Sequence, residues 1–276
     1  MRDLSHDKAL LAINSATVKS LSFEQFVDAV ARAGIGGIAP WRDIVQACGI
    51  ERAGKVIRDA GLAVSCLCRG GMFTAADDAG RSAALDDNRR AVDEAAGIGA
   101  KCLVLVVGGL PNGSRDLPDA HAQVRDQLAA LLPYARQMNM PLAIEPLHPM
   151  YAADRACVNT LKHANDLCDE LGDGVGVAVD AYHLWWDPDL PGEIARAGER
   201  ILTYHVCDWL VPTADLLLDR GMPGDGVIDL KAIRAMVEAT GYAGQIDVEI
   251  FSVNNWWKRD PAEVLRICIE RHQTVV

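Results

Sequence analysis

The sequence predicts one α/β domain, a single (β/α)8 TIM barrel over residues 1–276, and three observations carry that prediction. Short apolar runs alternate with longer stretches of helical periodicity, the alternation recurs eight times, and no Pro/Gly/Ser-rich linker interrupts it. The runs fall at 10–14, 35–39, 63–67, 102–107, 141–145, 176–180, 201–206 and 245–250. Several are apolar on both faces, as parallel strands covered by helices must be. A chain of 276 residues suits a barrel of about 250.

The stretches between the runs carry helix punctuation. Ser22 ahead of a 3.6-residue apolar pattern, with Gln25 three residues on, forms a capping box, and Gly34 ends that helix. Glycine stops recur at Gly61, at Gly97 and Gly99, and at Gly241, each just before the next apolar run. The two long irregular stretches, 146–159 and 207–227, both follow strands. In a barrel these are βα loops on the catalytic face.

Composition narrows the classes of function. With 27 Lys and Arg against 38 Asp and Glu, the net charge of −11 repels a phosphate backbone, which excludes nucleic acid as the expected partner. Eight cysteines without a C-x-x-C pair read as reduced core thiols, and so predict a cytoplasmic protein. The N-terminus lacks signal-peptide features, and no apolar stretch reaches the roughly 18 residues of a membrane span.

Glu145, Asp180, His205 and Glu249 close the last four apolar runs in turn. One such residue is unremarkable where a strand meets water, but four on successive strands bring one set of side chains to one rim. Three carboxylates and an imidazole form a hard, oxygen-rich ligand set. It suits Mn²⁺, Mg²⁺ or Co²⁺, and Zn²⁺ less exclusively.

The sequence IEPLHP at 144–149, the Asp180-x-x-His183 spacing, HVCDW at 205–209, RGMPGDGVIDL at 220–230 and VEIF at 248–251 together resemble the sugar phosphate isomerase/epimerase group of xylose-isomerase-like TIM barrels. The resemblance covers nearly the whole chain. It implies that Glu145, Asp180, His205 and Glu249 are metal ligands, and that His183 and Arg220 contact substrate oxygens near the metal. It also implies that Glu145 and Glu249 flank the substrate, one removing a proton and the other returning one. Ketose 3-epimerases carry a further Glu six residues after the first ligand, where this chain has Tyr151. That departure weighs against a free-ketose epimerase.

Other candidates have two readings each. His183 either contacts substrate or is a loop histidine bonded to a backbone carbonyl. Arg220 either stabilises developing negative charge or binds a carboxylate, the Gly-rich turn after it placing it inward. His148, held between Pro146 and Pro149, points toward the pocket as a substrate contact or makes a structural hydrogen bond. Asp208 orients His205 or is a loop acid. Trp185 lies in a post-strand loop where it could stack on a sugar, whereas Trp256 and Trp257 read as packing or subunit contacts. Cys66 and Cys68, before Arg69, are core filling, and GGLPNG at 108–113 is a strand-to-helix turn without a P-loop ending.

These readings predict a divalent-metal-dependent isomerase or epimerase acting on a small ketose, polyol-derived ketone or keto-acid through an enediolate, with Glu145 and Glu249 as the acid/base pair. A metal-dependent lyase or dehydratase acting by β-elimination on an inosose or 3-keto-glycoside shares the first step. A catalytically inactive binding or partner subunit is the alternative of a different class. The zinc endonuclease branch of the superfamily is disfavoured by the acidic balance and only seven histidines. A homo-oligomer, dimer or tetramer, is expected.

Overall fold

The computed structural model describes all 276 residues and contains eleven strands. They are β1 (Leu11–Asn14), β2 (Gly37–Ala39), β3 (Ala63–Val64), β4 (Leu67–Gly71), β5 (Leu103–Val106), β6 (Leu142–Ile144), β7 (Val175–Asp180), β8 (Ile201–Val206), β9 (Asp208–Trp209), β10 (Arg220–Gly221) and β11 (Ile246–Val248). Nine of them form a parallel sheet in the order β3-β2-β1-β11-β8-β7-β6-β5-β4. Since β3 and β4 are pieces of one strand separated by Ser65 and Cys66, nine strands fill eight positions and the ring is nearly closed. Helices alternate with the strands, as the apolar pattern predicts.

The third position differs from its expected span of 63–67 because the strand breaks and then runs on to Gly71. At the break Ser65 turns its N–H to the Ile38 carbonyl and its hydroxyl into the barrel. Beyond it, buried Asn88 donates to the Gly71 carbonyl at 2.7 Å and accepts from the Gly71 N–H at 2.6 Å. Gly71 has φ +105°, and a Cβ there would meet the Val106 carbonyl.

The helix punctuation is largely where it was expected. Ser22 and Gln25 make the reciprocal capping box ahead of the helix Phe23–Arg32, and Gly61 and Gly99 take left-handed C-cap conformations. Gly97 is a correction, since it lies inside the helix Asp78–Ile98. Its missing side chain admits Ile50, whose methyl would be 2.4 Å from a Cβ there.

Two apolar clusters follow from the layering. The large one lies between strands and helices, while a small one of Ala39, Cys66, Cys68, Cys102, Val104, Ala143 and Ala178 faces the barrel interior. Small inward side chains on β2 to β7 leave room inside the barrel for the polar groups that close the last four strands. The loop 207–227 contains the β9–β10 hairpin, and no helix is long and apolar enough to cross a membrane.

Candidate metal centre

Parallel register brings the four rim residues together. Asp180 on β7 pairs with His205 on β8, and Glu145 and Glu249 directly follow β6 and β11. One ligand-type atom from each lies within 4.8 Å of those of the other three. All four side chains are buried, none more than 6% exposed.

Burial without partners gives the cluster its chemical character. Glu145 Oε1, Asp180 Oδ2 and His205 Nδ1 are buried and make no hydrogen bond, although Oε1 and Nδ1 stand only 3.3 Å apart. Glu249 is better served, accepting from Asn14 Nδ2 at 2.8 Å and from Arg220 at 3.2 Å. Burial pushes the Asp180 carboxyl up to about 7, Arg220 countering and Glu145 and Glu249 reinforcing the rise. Burial also raises Glu249, against the pull of Arg220 and His205. Burial alone would depress His205, but the adjacent Glu145 carboxylate, with the charges of Glu249 and Asp247, lifts it well above its ordinary value.

Each shift reports negative charge short of compensation. The orphaned oxygens and nitrogen fit a divalent cation, which would supply the missing charge and the missing partner together. Nothing in the geometry selects among Mn²⁺, Mg²⁺, Co²⁺ and Zn²⁺.

Below this layer sits a residue that sequence reasoning missed. Asp247, on β11 opposite His205, faces His205 Nε2 at 3.6 Å and accepts from Ser65 Oγ at 2.7 Å and Thr203 Oγ1 at 2.9 Å. With Nε2 turned to Asp247, the unpartnered Nδ1 is left toward the carboxylates. The signal was present: Asp247 is two residues before Glu249, so strand alternation puts both on the inward face. Asn14, at the end of β1, was missed likewise.

A cavity opens onto the cluster. Glu145, Glu249, His183 and Arg220 reach its wall, whereas Asp180 and His205 lie behind it. Trp41, Tyr151, Arg69, Arg155 and Phe251 complete much of the lining. The Arg220 guanidinium lies over the rings of Tyr182 and Phe251, at 4.3 and 4.8 Å, and 3.6 Å from Asp180 Oδ2.

His183 lies on a short helix, Ala181–Leu184, rather than in a loop, and its Nδ1 accepts from a backbone N–H, that of His148, at 3.2 Å. Its Nε2 stands 3.7 Å from Asp180 Oδ2 and 3.3 Å from the Arg220 guanidinium, which can only donate. Burial and the Arg220 charge hold its pKa well down, so the ring is neutral.

The cavity is lined without His148 or Trp185. His148 accepts from the Met150 N–H at 3.2 Å and packs 5.0 Å from Trp209, while Trp185 packs 5.7 Å from the same ring. Asp208 faces the loop, accepting from the N–H groups of Trp209, Gly224 and Ile228. Trp256 and Trp257 bond within the subunit, to Asp225 and to the Ala16 carbonyl. Cys66, against His205 at 3.6 Å, is a protonated thiol: the hydrogen bond from Cys68 lowers its pKa, but burial and Asp247 push it up to about 12.

Known proteins share this architecture. The family model described as xylose isomerase-like TIM barrel matches residues 27–268. A crystal structure of a protein from Sinorhizobium meliloti 1021 is 58% identical, with TM-score 0.96 over 98% of this chain and 99% of that one. The IOLI protein, crystallised with a binding zinc atom, superposes with TM-score 0.83 over 96% of this chain and 97% of that one, at 19% identity, a likeness of fold alone. An inosose isomerase of Bacillus velezensis is 29% identical over 127 residues, 43% of this chain and 44% of that protein, so the chain spans less than half the length of this curated relative. The expectation of an enzyme agrees with that relative's name.

Proposed function

We propose, from the premise that this chain belongs to the xylose isomerase-like TIM barrel family, that it is a divalent-metal-dependent isomerase or epimerase of a small ketose, polyol-derived ketone or keto-acid. One observation carries the reading: Glu145, Asp180, His205 and Glu249 converge with three buried ligand atoms unpartnered, and the two glutamates also reach the cavity.

The division of labour follows from depth. Asp180 and His205 lie behind the cavity wall and hold the metal, together with Glu145 and Glu249. When bound, the metal supplies Lewis acidity to a substrate carbonyl and its neighbouring hydroxyl. One glutamate takes the proton from the carbon α to the carbonyl, leaving an enediolate, and the other returns a proton to complete isomerisation or epimerisation. Arg220 places fixed positive charge beside Glu249, where it stabilises the negative charge that develops on the substrate. Neutral His183 stands at the same wall, within reach of a substrate oxygen.

The test is proton exchange by the protein reconstituted with Mn²⁺, whose metal content is measured by mass spectrometry. A screen of ketoses, inososes and 3-keto-glycosides in D₂O is expected to find deuterium at the α-carbon. Glu145→Gln and Glu249→Gln should each slow it by about 10²- to 10⁴-fold with metal still bound. Full-rate exchange by a metal-loaded Glu145→Gln protein would sink the assignment. Product analysis by NMR separates reprotonation from loss of a β-substituent.

A further inference from the structure

One side of the cavity is cationic, and its cations are poorly paired. Arg69 follows Cys68 on β4, Arg155 sits in the loop after β6, and both line the cavity that Glu145 and Glu249 reach. Arg69 has no hydrogen bond and no ion pair, only the face of Trp41 at 5.9 Å. Burial, and then the like charge of Arg155, hold its pKa below the guanidinium value. The nearest acid to Arg155 is Asp154, 3.9 Å away and itself 65% exposed, and its guanidinium lies 5.7 Å from the Tyr151 ring. The Tyr151 hydroxyl lines the same cavity, buried and without a hydrogen-bond partner.

Unpaired arginines are not the rule at this end of the barrel. Arg42, three residues after β2 and just past Trp41, is bonded to both Glu94 and Asp87. In a protein carrying −11 net charge, two guanidinium groups lining one cavity, one without an ion pair and the other with only an exposed acid at 3.9 Å, leave a place for a negative group from outside. A neutral sugar would leave the Arg69 charge unpaired and largely desolvated.

We propose that the substrate carries an anionic oxyacid group, carboxylate or phosphate, at a position distinct from the carbon that Glu145 and Glu249 flank. Arg69 and Arg155 bind that group, and the Tyr151 hydroxyl donates to it. The inference rests on the proposed function, in that the same cavity holds the reacting carbon. It gives the Tyr151 departure a physical meaning: where an acid would repel an anion, a phenol beside two arginines accepts one.

Calorimetric titration of the Mn²⁺-reconstituted protein with D-gluconate against sorbitol, and with glycerol 3-phosphate against glycerol, tests it. At least one anion should bind tenfold or more tightly than its neutral counterpart. The Arg69→Met/Arg155→Met variant should lose that preference with metal stoichiometry unchanged. Preference for gluconate alone assigns a carboxylate, and for glycerol 3-phosphate alone a phosphate. No anion preference in the wild type overturns the proposal, as does a preference undiminished in the double variant, which would come from the metal or Arg220. Single Arg155→Met, a change at a half-exposed side chain, repeats the comparison should the double variant fold poorly. Repeating the titrations without metal keeps the two readings apart, because failure to bind metal sinks the proposed function and leaves the anion comparison readable.

Discussion

The two ends of the barrel treat buried carboxylates in opposite ways. At the end where the strands finish, Glu145 and Asp180 each keep a buried oxygen without a hydrogen-bond partner, and burial drives Asp180 up to about 7. At the other end Glu238, in the helix Leu230–Ala239, accepts from the Arg2 N–H at 2.7 Å, Arg2 Nε at 3.0 Å and Arg234 Nε at 2.7 Å. Burial alone would raise the Glu238 carboxyl, but the hydrogen bonds from Arg234 and Arg2 outweigh it and hold the pKa below the usual range. Partnered acids hold the fold together. Unpartnered ones are left for something the fold does not itself contain.

The largest expected effect sharpens that contrast by removing ligands. Asp180→Asn should weaken Mn²⁺ binding far more than Asp247→Asn, because Asp180 offers an orphaned oxygen whereas Asp247 acts through His205. For Asp247→Asn the expected loss is about 10- to 100-fold in metal affinity. Equal losses in calorimetric titrations would show that the two buried layers are not distinct. A full Asp180-like loss in Asp247→Asn would make it a direct ligand.

A second effect compares the two ends in the metal-free protein. Between pH 3.8, the ordinary carboxyl value, and about 7, folded Asp180 keeps a proton that the unfolded chain releases. Stability therefore falls as pH rises through that window. Above pH 7 Asp180→Asn removes the uncompensated charge and should raise the melting temperature, at the expense of metal binding. The partnered acid should respond in the opposite sense. If Asp180→Asn melts lower than wild type without metal, the cluster is not the strained element this contrast requires.

How far the sequence reveals these features depends on the range of the interactions behind them. Strand positions and the four rim residues were readable because apolar periodicity is local and because each of the four closes a strand. Family membership and the barrel follow from the same signals. What the sequence hid were pairings between distant residues: Ser65 with Asp247, 182 apart, and Asn14 with Glu249, 235 apart. His183 was placed in a loop because four residues are too few to show helical periodicity. For Asp208 the spacing left two readings, partner of His205 or loop acid, and the turn at 224–228 decides for the second by claiming both its oxygens. Arg69 and Arg155 gave no signal, since being unpaired is a property of the whole cavity.

The smallest expected effect tests the saturated end. Glu238 ties Arg2, ahead of the first strand, to Arg234, which also donates to the Arg2 carbonyl and, at 3.0 Å, to the Val276 carbonyl. One carboxylate thus anchors both chain ends under the barrel. Its lowered pKa means that the stabilisation is fully present above the ordinary glutamate value of 4.5 and is lost as pH falls through the folded-state value. Glu238→Gln keeps the shape but removes the charge, and should cost about 1–3 kcal/mol at pH 7. That corresponds to about 2–4 °C in melting temperature per kcal/mol for a chain somewhat shorter than this one. The variant's curve should also converge on the wild type's as pH falls through that folded-state value and the glutamate becomes neutral like the amide. Melting followed by circular dichroism from pH 3 to 7 reads both. A gap between the two proteins that stays constant across that range would mean the amide disturbs packing, and that charge is not what Glu238 contributes.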